Sequence, residues 1–156
     1  MLFYARRYSQ AVQALHAPFI YPSFPAAHYF LGNIYEAQGM YEEAYQEAFK
    51  LQTLEGISPS MAEIREIHAK SGWKGAYQKF LAMMLHARST GKYVSAYDIA
   101  ETYLALGDDE QALAWLQKAA DEHANQVIHL KVDPRYDRLH NNPKFQDLTR
   151  NLHLPM

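Results

Sequence analysis

Ser95-Ala96-Tyr97-Asp98-Ile99-Ala100-Glu101-Thr102-Tyr103-Leu104-Ala105-Leu106-Gly107-Asp108 is the stretch on which the reading of the whole chain turns. Val94, Tyr97, Ala100, Tyr103 and Leu104 recur at three- and four-residue steps, the mark of a helix with one buried stripe. Ser95 and Asp98 stand as a capping box, in which a hydroxyl and a downstream carboxyl satisfy free backbone N–H groups. Gly107 follows the last periodic residue, where glycine can take the left-handed conformation that ends a helix. The acidic run Asp108-Asp109-Glu110 then suits the positive dipole end of a second helix. That helix continues through Ala112 and Leu116. The unit is therefore helix, glycine turn, helix.

The same plan recurs along the chain. Gly39, Gly72 and Gly107 follow one another at nearly even intervals. Ala44 and Ala112 are separated by two such intervals, and so are Gly39 and Gly107. From Trp73, the residues Ala76, Tyr77, Phe80, Leu81, Met84 and Ala87 form another buried stripe. Ser60-Met61-Ala62-Glu63 reads as a second capping box, and Asp133-Pro134 and Asn142-Pro143 as two further helix starts. No run alternates apolar and polar residues, so no strand is expected.

A helix-turn-helix unit repeating at about 34 residues is the tetratricopeptide pattern. His28-x2-Leu31-Gly32-x2-Tyr35 followed by Ala44 resembles that family, and Ala96-x2-Ile99-Ala100-x2-Tyr103 followed by Ala112-x3-Leu116 is a second copy. Met61-x2-Ile64-Arg65-x2-His68 with Ala76-x3-Phe80 is a weaker copy. Arg65 stands there at a usually small place, so altered packing is expected. Ala11-x3-Leu15 matches only a second helix. The resemblance implies an all-α superhelix of antiparallel helix pairs, with about seven or eight helices. Its parts are a partial first repeat at 1–24, repeats at 25–57, 58–91 and 92–125, and a helical C-terminal cap at 126–156. The incomplete start reads as a fragment of a longer protein. Leu130-Lys131-Val132-Asp133-Pro134-Arg135-Tyr136-Asp137 and Asn142-Pro143-Lys144-Phe145 resemble the closing segment of repeat regions in bacterial multidomain signalling proteins. Tyr136, Leu139, Phe145, Leu148 and Leu152 are expected to fold back on the last repeat.

Such arrays bind protein segments in a concave groove lined by the first helix of each pair. On that resemblance the groove residues are Tyr29, Asn33 and Glu36, then Glu66 and Lys70 beside Ala62, then Tyr97, Glu101 and Leu104. Some relatives clamp the C-terminal carboxylate of chaperones with lysine, arginine and asparagine. Here only Asn33 could serve, and Glu66 and Glu101 would repel an anion. Tyrosines beside glutamates fit a basic or aromatic segment better. The competing reading is that both tyrosines pack between helices.

Composition narrows the rest. The chain has 156 residues, a net charge of −2 and no cysteine. Disulfides, thiolate catalysis and cysteine-ligated zinc are excluded. Without a basic block, nucleic acid is disfavoured as a partner. The longest apolar run, Phe80 to Leu85, is too short to cross a membrane. No targeting signal is visible, which favours the cytoplasm. The eight histidines, His16, His28, His68, His86, His123, His129, His140 and His153, include no pair at metal-face spacing. No phosphate loop, nucleophile elbow or other catalytic constellation is present. The expectation is a non-enzymatic interaction scaffold without metal or cofactor. The alternative is a structural module that forms a homo-oligomer through an apolar start, Met1-Leu2-Phe3-Tyr4.

Overall fold

The computed structural model describes residues 2–17, 23–54 and 60–152, with the Ser60 side chain excepted. The described residues are helical and contain no strand. Met1, the Ser60 hydroxyl cap, His153 and Leu154 lie outside them. Two compact units follow in sequence, Met1–Ala76 and Tyr77–Met156.

The first unit opens with α1 (Tyr8–Leu15), preceded by a turn in which Phe3 is buried. Phe3 packs with Ala11 of α1 and with Ile34, so the apolar start is used inside the unit. The expected apolar end is corrected to that extent, with Leu2 and Tyr4 half-buried. Next comes a helix pair, α2 (Pro25–Ala37) and α3 (Tyr41–Leu54). Pro25 sits at the first turn of α2, where a missing N–H costs nothing. Gly39 takes φ +73, and the N–H of Met40 returns to the Tyr35 carbonyl at 2.9 Å. That closure turns the chain into α3 within a few residues. Ala27, Leu31, Ile34 and Ala44 are fully or almost fully buried between the helices. At Gly32 an added methyl would meet the Ala44 carbonyl at 3.8 Å and the Glu47 Cβ at 4.0 Å. This is ordinary contact, so the helices approach closely there but leave room for one carbon.

The fourth helix of that unit is the start of α4 (Ser60–Ser89), which is broken at Gly72. Gly72 has φ 64 and ψ −168, a region open essentially to glycine alone. It separates a first arm from a second arm, and the two units divide within the second. Arg65, the residue at odds with the repeat pattern, is exposed and lays its guanidinium 5.1 Å from the Phe49 ring. His68 takes the place of the usual tyrosine and stacks on Tyr45 at 4.1 Å. The altered packing expected of this repeat is thus aromatic and polar.

The second unit holds the rest of α4, then α5 (Ala96–Leu106) and α6 (Asp109–Asp121). Ser95 caps α5 by accepting from the Asp98 N–H. Gly107 ends it at φ 85, and Asp108 caps α6 by accepting from the Gln111 N–H at 3.0 Å. Two short 3-10 helices follow, η1 (Asn125–His129) and η2 (Pro134–Leu139), then α7 (Pro143–Asn151). Asp133 and Asn142 cap η2 and α7 by accepting from the N–H groups of Arg135 and Lys144. Both caps stand directly before a proline, as the sequence indicates. Tyr136, Leu139, Phe145 and Leu148 are buried in one core with Ala112, Leu113 and Leu116. The tail therefore packs on the last repeat. It is also in register with it, since α7 begins one repeat period after α6.

Candidate binding surfaces

The eight residues assigned to the groove divide sharply between the two units. In the first, Glu66 and Lys70 are exposed on the first arm of α4, and Tyr29 and Glu36 are half-buried on α2. Tyr29 meets the edge of Phe30 at 5.5 Å, and Phe30 is 44% exposed. Asn33 departs from the expectation: it is only 8% exposed. It lies one residue before Ile34, on the stretch of α2 that packs inward, so burial reaches it.

In the second unit the expected exposure fails at two of three positions. Tyr97 is 2% exposed and Leu104 is 4% exposed. The tail covers them. The Tyr97 and Tyr136 rings lie 6.4 Å apart, and Arg138 of η2 donates to the Leu104 carbonyl at 2.5 Å. Glu101 is ion-paired to Arg135 at 2.5 Å and is nearly buried. Arg135 also pairs with Asp133 at 2.7 Å. Glu101, expected as a repelling charge in the groove, instead anchors the tail.

The electrostatics of this cluster follow from burial. Burial pulls the Arg135 guanidinium down, but Glu101 and Asp133 outweigh it and hold the group charged, above its usual range. Burial pushes the Tyr97 hydroxyl far up, and Glu101 adds to it, so Tyr97 stays neutral at any ordinary pH. Tyr136 is raised for the same two reasons in the same order. The cluster is an ionic knot set in an aromatic core. Chemically it offers attachment of the tail, since its charges are satisfied among themselves.

The first unit has its own buried polar contact. His28 Nδ1 lies 2.5 Å from Glu47 Oε2, with the two side chains 1% and 6% exposed. Lys50 donates to the other Glu47 oxygen at 2.7 Å. His68 Nε2 lies 2.6 Å from Glu42. No group of three His, Cys, Asp or Glu is placed to hold a metal among the described residues.

Sequence reasoning missed both buried knots, yet one signal was available. Glu101 and Arg135 stand one repeat period apart, as do Arg88 and Glu122, and Glu110 and Lys144. Each is an opposite-charge pair at the repeat period. Residues one period apart lie on successive layers, so such pairs meet across the stack.

The comparisons agree with this periodicity. The model of the tetratricopeptide repeat matches residues 25–52 and 94–122, which are α2 with α3 and α5 with α6. A TPR repeat-containing protein of Bacillus subtilis (strain 168), YpiA, is 26% identical over 104 residues. The match covers 65% of this chain and 25% of that protein, so the chain spans a minor part of its relative's length. No solved structure matches. Two repeats found by pattern, helix pairs found at the same residues and a repeat-containing relative make this chain similar to tetratricopeptide-repeat proteins over these stretches.

Proposed function

We propose that this chain is a regulatory interaction scaffold that takes a basic or aromatic protein segment along the first helices of its first unit. Tetratricopeptide repeats are in general protein–protein interaction modules. The observation that carries the finer reading is the contrast between units. Tyr97, Glu101 and Leu104 are engaged by the tail, whereas Glu66 and Lys70 are exposed and Tyr29 and Glu36 half-buried. The contact set is therefore Tyr29, Glu36, Glu66 and Lys70. Asn33 contributes by positioning rather than by contact, since it is buried.

The chemistry favours cations on the partner. Glu36 and Glu66 supply two carboxylates against one ammonium from Lys70, and Tyr29 and Phe30 supply ring faces for arginine or lysine. On this reading the chain serves a larger signalling protein, whose other parts carry any catalytic step. The test is a short-peptide library presented to the immobilised chain. Lysine- or arginine-containing aromatic peptides are recovered by the wild type. Glu66→Lys lowers that recovery and Lys70→Glu raises it, with melting temperatures unchanged because both side chains are exposed. Equal recovery of those peptides by all three chains would place binding elsewhere.

In the alternative reading, self-association through the N-terminal residues, Phe3 would not serve as a contact, because it is buried within its own unit. The exposed residues of α1 include Ser9, Gln10 and Gln13, which are polar.

A further inference from the structure

A second surface, of opposite character, lies within the second unit. Tyr93 is 87% exposed, the most exposed large hydrophobic residue among those described. It is not on a loose loop. Gly91 takes φ +82, the Lys92 N–H returns to the Ala87 carbonyl at 3.0 Å, and Arg88 donates to the Val94 carbonyl at 2.7 Å. The loop from α4 to α5 is thereby fixed with the Tyr93 ring held outward. Arg88 links it to a second aromatic residue, since its guanidinium lies 5.3 Å from the ring of Trp115, which is half-buried on α6. The Lys118 ammonium lies 4.0 Å from the same ring.

The charges around these rings are unevenly satisfied. Arg88 is ion-paired with Glu122, and Arg135, Arg138, Lys144 and Arg150 have their own carboxylates. Lys92 and Lys118 are exposed and have no carboxylate partner among the described residues. Asp121, close by in sequence, is engaged by Gln117 at 2.9 Å. The patch thus combines two large aromatic residues, the type that dominates binding energy at interfaces, with two cations that lack counter-charges.

We propose that Tyr93, Trp115, Lys92 and Lys118 form a docking surface for an acidic protein segment. Two carboxylates set between apolar side chains complete the two lysines, and the apolar side chains cover Tyr93 and the free part of Trp115. A nucleic acid is the less fitting occupant. It needs a longer run of cations than two lysines supply, and it is repelled by the net charge of −2. This surface shares no residue with the one proposed on the first unit, so the two stand or fall separately.

The experiment is fluorescence anisotropy on the full chain with a labelled peptide of about ten residues alternating glutamate and leucine. The same peptide with glutamine for glutamate and a thymidine oligonucleotide of similar length serve as comparisons. The acidic peptide binds saturably, and the glutamine version does not. Lys92→Glu with Lys118→Glu weakens binding by about tenfold or more, and Tyr93→Ala by about fivefold. Glu66→Lys leaves it unchanged. If the double reversal also lowers the melting temperature, Tyr93→Ala decides, because so exposed a ring contributes little to folding. Absence of saturable binding, or an affinity unmoved by both variants, overturns the proposal. Tighter binding of the oligonucleotide than of the peptide overturns it as well.

Discussion

His28 shows how a single residue can satisfy a repeat pattern by other means. The pattern asks for a large aromatic side chain at this place, and the imidazole fills it while its Nδ1 meets Glu47. A buried carboxylate needs partners, and here it has two, His28 and Lys50. Such a contact adds less to stability than its closeness implies, because both groups lose water. Removing one partner is another matter, since a buried carboxylate oxygen left without its donor costs about 1–3 kcal/mol. His28→Phe alone should therefore destabilise the first unit by about 2 kcal/mol, and Glu47→Leu by a similar amount. Combining them should restore stability to within about 1 kcal/mol of the wild type, because no polar group is then stranded. Urea denaturation of the three variants measures this. Additive losses in the double variant would show that the two side chains act independently. The sequence marks His28 correctly as a packing residue. It could not announce Glu47 as the partner, since the two lie on different helices and nothing in the pattern joins them.

At the scale of the element, what was legible was what is decided locally. Gly39, Gly72 and Gly107 read as helix ends, and all three take positive φ. Ser95, Asp133 and Asn142, read as caps, each accept from a backbone N–H. These features depend on a few neighbouring residues, so sequence suffices. Exposure on the first helices was not legible at Tyr97 and Leu104, because it depends on a segment a whole repeat further along the chain. Nor was the first 3-10 helix, η1, whose short turn carries no helical period, although the start of η2 was marked by Asp133-Pro134. Gly72 offers the sharpest test at this scale. Its φ 64 and ψ −168 are strained for any residue with a Cβ. Three residues later, a Cβ at Gly75 would meet the Ser71 Cβ at 2.6 Å and the Ile67 Cγ2 at 3.1 Å. The break in α4 thus needs glycine twice, once for conformation and once for space. Gly72→Ala should destabilise by about 1–3 kcal/mol. It should do so even though alanine is the better helix former. A rise in the denaturation midpoint would show that α4 prefers to run straight.

At the scale of the whole molecule, the tail decides whether the second unit can stand. Repeat layers bury their apolar faces against one another, so the last layer needs a cover with a polar outer side. Residues from Asp133 onward supply it. Tyr136, Leu139, Phe145 and Leu148 face the core, while Lys144, Asp147 and Arg150 remain exposed. Three further contacts fix the register: Arg135 on Glu101, Arg138 on Asp109 and Lys144 on Glu110. The buried one differs in kind from the other two. Exposed pairs such as Lys144 with Glu110 are worth little, whereas a buried carboxylate stripped of its guanidinium is costly. Deleting the chain after Val132 removes four buried apolar side chains, each worth about 1.5–3 kcal/mol, and leaves Glu101 without Arg135. That loss approaches the stability of a whole domain. The truncated chain should therefore aggregate or lose its cooperative melt, as followed by light scattering and far-UV circular dichroism. Arg135→Ala should fall between the two, lowering stability by about 3–5 kcal/mol while the apolar cover remains. Lys144→Ala should leave the melt unchanged. A truncated chain as soluble and as stable as the full one would mean that Tyr97 and Leu104 do not need the tail, and that the face it covers is available to a partner after all.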